Sequence, residues 1–432
     1  MSRELFGTDG VRGLANEYPL DDAGSQAIGR AVGTYFAKAG QQIVIACDTR
    51  ESSERIVRQV AKGLQGVGVR VVFMGVLPTP GLAYITAQHD NFVAGVMITA
   101  SHNPYEFNGV KVFGPDGGKL PDDTEEKVSH DIAHGVPDRS GGSYETRPEL
   151  VQEYEDFLVA SAGGASFSDM HLVVDAAHGA AFRVAARVFE RLGARVTPLA
   201  VSPDGRNINA ASGATDPSAA QQLVVSGQAD LGIALDGDAD RLILIDHLGR
   251  VFDGDHILYL LAVGLEKTTV VATVMSNLGT EQALAAHSIA MVRTAVGDRY
   301  VLEYMVEHGD TLGGEQSGHI IMTDLSTTGD GLLAAVQVLC VLKNSGKSLA
   351  AWNEEVETVP QALVNFRIED KMRLNIQEVQ DYIRVKSAEL GSAGRILVRP
   401  SGTEPLARVM VEAPNANDLA QEMATHIAEL VQ

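Results

Sequence analysis

Three aspartates at alternate positions occupy the tight segment Asp236-Gly237-Asp238-Ala239-Asp240-Arg241, directly after the apolar run Leu231 to Leu235. That spacing lets three hard oxygen ligands converge on one divalent cation, and magnesium, completed by a phosphate oxygen, suits such a set. An EF-hand calcium loop is excluded, because its sixth position would be Arg241 rather than glycine and its twelfth His247 rather than glutamate. A solvated acidic loop and a phosphatase with an aspartyl nucleophile both remain open on this motif alone.

Ser101 stands in Thr99-Ala100-Ser101-His102-Asn103-Pro104, after another apolar run. Its flanks are not Gly-x-Ser-x-Gly, which argues against a serine hydrolase. His102, as the next residue, need not face Ser101 as a base would. A turn serine without chemistry is the alternative. A serine that carries a phosphate needs a cation to offset its charge, and the aspartate trio would supply one. In Arg399-Pro400-Ser401-Gly402-Thr403-Glu404-Pro405 a guanidinium fork, two hydroxyls and a glycine N–H have the composition of a phosphate clamp. An ordinary turn is the other reading, and Arg408 either adds charge or pairs with a carboxylate. Glu315, Ser317 and His319 alternate along their loop, so their side chains are expected to face one way, toward the hydroxyls of a hexose.

The elements that must position these residues repeat one plan three times. Strands are predicted over 43–47, 69–74 and 93–98, then 172–174, 194–199 and 231–235, then 270–274, 290–294 and a short one ending near Leu312. A helix with Ile56, Val57, Val60, Ala61 and Leu64 on one face comes after the first strand. Alternation of strands and helices argues for α/β units with mainly parallel pairing. The serine, aspartate and Glu315 loops each come after a third strand, where such architectures place ligands. The tail from Pro360 reads as strand, helix, strand, strand and helix without the repeat. The expected division is 1–147 (phosphoserine loop), 148–246 (metal loop), 247–357 (sugar loop) and 358–432 (phosphate loop), with a linker over 135–143.

Bulk properties fit this. A chain of 432 residues exceeds what one core organises, so several domains are expected. The net charge of −22 disfavours nucleic acid and anionic membranes as partners and makes any phosphate site a local cationic exception. No apolar run reaches the roughly 18 residues of a membrane span, and no signal core comes after Met1-Ser2-Arg3-Glu4. The two cysteines, Cys47 and Cys340, lie in apolar runs that read as buried, a usage fitting a reducing cytoplasm.

With these residues laid out, the chain resembles the α-D-phosphohexomutases along essentially its whole length. Five segments carry the resemblance, in order: Phe6-Gly7-Thr8-Asp9-Gly10-Val11-Arg12-Gly13, then Thr99 to Pro104, Asp236 to Arg241, Gly314 to His319, and Arg399 to Pro405. The resemblance implies three related mixed α/β domains and a smaller α+β C-terminal domain around a central cleft. It implies that Ser101 is the phosphorylated residue and that Asp236, Asp238 and Asp240, with the phosphate on Ser101, hold Mg²⁺. Glu315 and Ser317 map to the family's sugar-reading loop, and Arg399, Ser401, Gly402 and Thr403 to its phosphate loop. Arg12, His102, Lys111 and Arg241 fall on family active-site positions. The opening segment, Gly297-Asp298-Arg299-Tyr300 and Gly314-Glu315-Gln316-Ser317 look most like the branch acting on phosphorylated hexosamines.

The chemistry that the resemblance implies is a phosphoryl exchange. Phospho-Ser101 would give its group to glucosamine monophosphate, forming a hexosamine 1,6-bisphosphate that turns over and returns its other phosphate, so that glucosamine 6-phosphate and 1-phosphate interconvert. Lys111 is the family's candidate acid/base; its ordinary pKa of about 10.4 would have to fall for it to act as a base, and Arg12 nearby would lower it. A plain phosphate-binding lysine is the other reading. Mannose or glucose phosphates as substrates, and a magnesium-dependent phosphatase, stand as alternatives. The expected form is a cytoplasmic monomer or homodimer.

Overall fold

The computed structural model describes residues 5, 10–38, 40–139, 141–401 and 404–431. The chain divides into two compact units: residues 1–275 with 291–353, and residues 276–290 with 354–432.

The first unit holds three sheets. The first comprises β1 (Val11–Leu14), β2 (Gln42–Cys47), β3 (Arg70–Val76), β4 (Phe92–Ile98), β5 (Phe107–Phe113) and β6 (Ser143–Thr146), in the order β1-β5-β4-β2-β3-β6. The second has β7 (His171–Asp175), β8 (Arg195–Leu199), β9 (Leu231–Leu235), β10 (Leu242–Asp246) and β11 (Val251–Phe252), ordered β11-β10-β9-β7-β8. The third has β12 (Thr269–Thr273), β13 (Ala290–Thr294), β14 (Gly313–Gly314) and β15 (Ile320–Ile321), ordered β13-β12-β14-β15.

One four-strand arrangement recurs in all three: β5-β4-β2-β3, β10-β9-β7-β8 and β15-β14-β12-β13. In each, the third strand in sequence lies parallel to the first and antiparallel to the strand after it. The predicted loops are therefore the hairpin connections β4–β5, β9–β10 and β14–β15, at the carboxyl ends of strands parallel to their neighbours. The expected triplication is present in the topology.

Sequence dictates this locally. Residues of β9 and β10 are buried without alternation, as strands covered on both faces must be. Helix Ser53–Gly66 buries the predicted stripe of Ile56, Val57, Val60, Ala61 and Leu64. Removing Ile56, Val57, Val60 and Leu64 from water contributes about 1.5–3 kcal/mol each. Cys47 is buried as expected, whereas Cys340 is only half-buried: helix Gly331–Ser345 turns it toward the Ala162 carbonyl at 3.8 Å. Among the described residues no helix is long and apolar enough to cross a membrane.

In the second unit β16 (Gln361–Arg367), β17 (Arg395–Pro400) and β18 (Leu406–Glu412) form an antiparallel sheet ordered β16-β18-β17. Val409, Val411, Val379, Leu419, Met423 and Ile427 fill its core, with helices Gln377–Leu390 and Ala416–Leu430. Strand, helix, strand, strand and helix succeed one another as read from the tail. The unit also takes in helix Leu278–Ala286, tied by Asn277 Nδ2 donating to Val359 O at 2.9 Å and Leu278 N to Glu412 at 3.2 Å.

Candidate active site

After β4 the chain turns sharply, and Ser101 adopts a left-handed backbone with φ +50°. Non-glycine residues in this region carry strain of about 1–3 kcal/mol and cluster at functional sites. The turn buries Ser101 and aims its hydroxyl at Asp236, donating to Oδ2 at 2.7 Å. His102 Nδ1 lies 3.3 Å from Ser101 Oγ; adjacency in sequence gives no reason to expect this. Burial, and then the charges of Arg241 and Arg12, push the His102 imidazole down to about 4, so it is neutral near pH 7. Arg12 comes from β1, opposite Gly109 of β5.

The metal-loop aspartates are all buried, and their carboxylates approach within 4.8 Å of one another. Ala239 takes φ +59° and its N–H donates to Asp236 O, closing the turn that points the three inward. Gly237 is required by close approach: a Cβ there would lie 2.5 Å from the Ser101 carbonyl oxygen. Burial, and then the charges of Asp240 and Asp238, push Asp236 well above the usual carboxylate range. Burial opposes the charge on Asp240 as well, but Lys111, His319 and Arg241 outweigh it and hold that carboxyl well below its usual range.

Lys111, on β5, reaches across with Nζ 2.8 Å from Asp238 Oδ2 and 3.2 Å from Asp240 Oδ2. Thr79 Oγ1 donates to the same Asp238 oxygen at 2.6 Å, and Arg241 N donates to Asp236 Oδ1 at 3.1 Å. Among the described residues Asp238 Oδ1 and Asp240 Oδ1 are buried and accept no hydrogen bond. Buried carboxylate oxygens left bare are costly, and hard anionic oxygens facing one another fit a divalent cation. The three carboxylates fit such an ion.

The loop after β14 differs from expectation. Glu315 and His319 are joined by Glu315 N donating to His319 O, so Glu315, Ser317 and His319 trace a tight hairpin rather than an extended run facing one way. Ser317 is exposed at its tip, Glu315 is half-buried, and His319 is buried. The His319 ring stands between Asp240 Oδ1 at 3.8 Å and Asp298 Oδ2 at 3.4 Å. Burial would lower its pKa, but these two carboxylates outweigh that and push it up to about 9. Lys119 pairs with Asp298 on the far side. Gly297, at φ +129°, donates its N–H to Glu315 at 3.0 Å, and burial pushes the Glu315 carboxyl up.

Four residues at this site are missed by sequence reasoning. Thr79 lies in a helix start with no motif around it. Asn209 Nδ2 donates to the Ser101 carbonyl at 2.9 Å. Asp48, just past the predicted strand 43–47, and Arg50 form a buried pair behind the serine loop; the Asp-x-Arg pattern at a strand's carboxyl end is the available signal.

In the second unit Arg399 of β17 is paired in register with Arg408 of β18. Partial burial, and then the Arg408 charge, lower the Arg399 pKa. Arg408 lies 3.4 Å from Ser401 Oγ and 3.2 Å from Glu404, so it both adds charge here and pairs with a carboxylate. Gly402 and Thr403 lie outside the described residues.

Residues 3–137, 152–249 and 253–359 match the phosphoglucomutase/phosphomannomutase alpha/beta/alpha domains I, II and III, and residues 363–430 match the C-terminal domain of the same family. The chain is 45% identical over 434 residues to phosphoglucosamine mutase of Thermus thermophilus, covering 100% of this chain and 99% of the relative. It is 44% identical to phosphoglucosamine mutase of Methylococcus capsulatus, again over 100% and 99%. Among solved structures, a phosphoglucomutase/phosphomannomutase family protein from Burkholderia thailandensis superposes with a TM-score of 0.84 at 24% identity, covering 100% of this chain and 98% of that one. Aspergillus fumigatus N-acetylphosphoglucosamine mutase, solved with GlcNAc-6P and magnesium, gives 0.66 at 18%, over 99% and 95%; at such identities the likeness is one of fold. With all four domain types in order and full-length relatives above 40% identity, the chain belongs to the phosphoglucomutase/phosphomannomutase family.

Proposed function

We propose that the chain acts as a phosphoglucosamine mutase, interconverting glucosamine 6-phosphate and glucosamine 1-phosphate. The observation that carries the mechanism is the Ser101 hydroxyl 2.7 Å from Asp236 within a buried aspartate trio. The full-length relatives named phosphoglucosamine mutase support the substrate. In this reading the four segments 1–147, 148–246, 247–357 and 358–432 carry the serine, metal, sugar and phosphate loops respectively.

In this reading Ser101 carries a phosphoryl group at rest. Asp236, Asp238, Asp240 and a phosphate oxygen on Ser101 would hold one Mg²⁺, which when bound would supply Lewis-acid polarisation of the phosphoryl oxygens. The P–O bond to Ser101 Oγ breaks as a P–O bond to the free sugar hydroxyl forms, giving glucosamine 1,6-bisphosphate. The proton leaving that hydroxyl is matched by one returned to Ser101 Oγ; Lys111 is the acid/base of this reading, and neutral His102, 3.3 Å from Ser101 Oγ, a second carrier. The reverse transfer from the other phosphate reloads the serine. Arg12 and Arg241 offset phosphate charge, while Glu315, Ser317 and His319 read the sugar. Arg399, Ser401, Gly402 and Thr403 clamp the phosphate that is not being transferred. Free thiols at Cys47 and Cys340 fit a cytoplasmic enzyme.

Coupled assays on glucosamine, glucose and mannose phosphates test the reading. Turnover should be greatest on glucosamine phosphates and fall to background in Ser101→Ala. Retained turnover of phosphate esters in that variant would instead support a phosphatase using Asp236.

A further inference from the structure

Asp48 and Arg50 have side chains with no solvent exposure, bonded Nε to Oδ2 at 2.8 Å. A buried ion pair is weak evidence for stability, because well-packed apolar residues of similar volume serve as well or better. Its hydrogen bonds have a direction, however. Asp48 accepts from Ser53 Oγ at 2.7 Å, Thr99 Oγ1 at 2.8 Å and Arg50 N at 3.1 Å. Thr99 Oγ1 in turn accepts from Ser101 N at 3.0 Å. The remaining fork of Arg50 is spent on backbone carbonyls of the serine loop. Nη2 donates to Ser101 O at 2.8 Å, and Nη1 donates to Phe107 O at 3.1 Å and to Pro104 O. Asn209, from the second repeat, adds its donor to Ser101 O.

Three carbonyls within seven residues are thus gathered by one rigid, always-charged fork, a geometry that lysine cannot reproduce. At the head of this stretch stands the single strained residue of the loop, Ser101. Strain of this kind persists only where the surroundings over-determine it.

We infer that Arg50, anchored by Asp48, is a positioning residue for phosphoryl transfer, fixing the Ser101 carbonyl so that the Ser101 oxygen is aimed at Asp236. It touches no reacting atom. The role rests on the mutase reading above and adds to it the device that holds the phosphoserine in line.

The test compares the full chain with Arg50→Lys and Asn209→Ala, measuring kcat and KM for glucosamine 6-phosphate together with thermal unfolding. Misplacement by an ångström lowers turnover by up to about 100-fold, so kcat should fall about 10–100-fold in Arg50→Lys and less in Asn209→Ala. KM should stay within about twofold in both, since the sugar-reading groups are untouched. Should Arg50→Lys fail to fold, Asn209→Ala decides, because its donor reaches the same carbonyl from another element. Folded variants with wild-type kcat overturn the inference, as does a fall in activity that only tracks the folded fraction. A wild-type chain that turns over beside an equally active Arg50→Lys defeats the positioning role alone; a wild-type chain without turnover takes the mutase reading with it.

Discussion

Ser101 and Asp236, 135 residues apart and in different repeats, meet through a 2.7 Å hydrogen bond from hydroxyl to carboxylate. The contact places the proposed phosphate carrier against three buried acids, an arrangement whose like-charge repulsion a bound cation would relieve.

Metal dependence is the first consequence. Chelation should abolish turnover, and added Mg²⁺ should restore it. Asp238→Asn keeps the size of the side chain and its Thr79 contact but removes a charge. It should raise the Mg²⁺ concentration for half-maximal activity by about 10-fold or more, as read from a titration of rate against metal.

Lys111 places its ammonium against two members of the trio. In Lys111→Ala, Asp238 and Asp240 lose a buried partner, a change that costs on the order of 3–5 kcal/mol. Thermal unfolding should show the larger loss in metal-free protein and partial recovery with Mg²⁺, because the ion replaces the missing positive charge.

At Gly237 a single methyl would meet the Ser101 carbonyl at 2.5 Å and Asn209 Nδ2 at 2.8 Å. Gly237→Ala must push the two loops apart. A destabilisation of about 1–3 kcal/mol is expected, with kcat reduced about 10–100-fold. Unfolding curves and initial rates check both.

Asp330 caps helix Gly331–Ser345 through Leu333 N and accepts the Tyr154 hydroxyl at 3.0 Å. Burial pushes its carboxyl up from 3.8 to about 6. The folded state therefore holds this proton more tightly than the unfolded chain does. Its stabilisation is full below pH 4 and is lost as pH rises to about 6, a change of roughly 3 kcal/mol. Asp330→Asn has no such proton, so the stability of wild type relative to the variant should decline across that window and level off above it. Chemical denaturation of both proteins between pH 4 and 8 measures this.

The trio and the serine loop are legible in sequence because each is local: a few consecutive residues after an apolar strand supply both chemistry and turn. The three-fold plan is legible for the same reason, since β4 and β9 are long apolar runs. The third strand of the last repeat shrinks to Gly313–Gly314, however, and its loop closes as a hairpin that sends His319 inward. Alternation in sequence means a shared face only in extended chain, so the common face expected for Ser317 and His319 does not form. Arg50 escapes notice because, Asp48 apart, its partners are backbone carbonyls, which carry no sequence signature. Helix Leu278–Ala286 joins the second unit through contacts with Val359 and Glu412, separations that periodicity does not encode.

The most direct measurement is phosphopeptide mass spectrometry of the protein after brief incubation with glucosamine 1,6-bisphosphate, joined to single-turnover transfer to glucosamine 6-phosphate. The account predicts one phosphoryl group, on Ser101, that passes to the sugar and is absent from Ser101→Ala. A phosphoryl group found on Asp236, or turnover that proceeds with residue 101 unmodified, would contradict it.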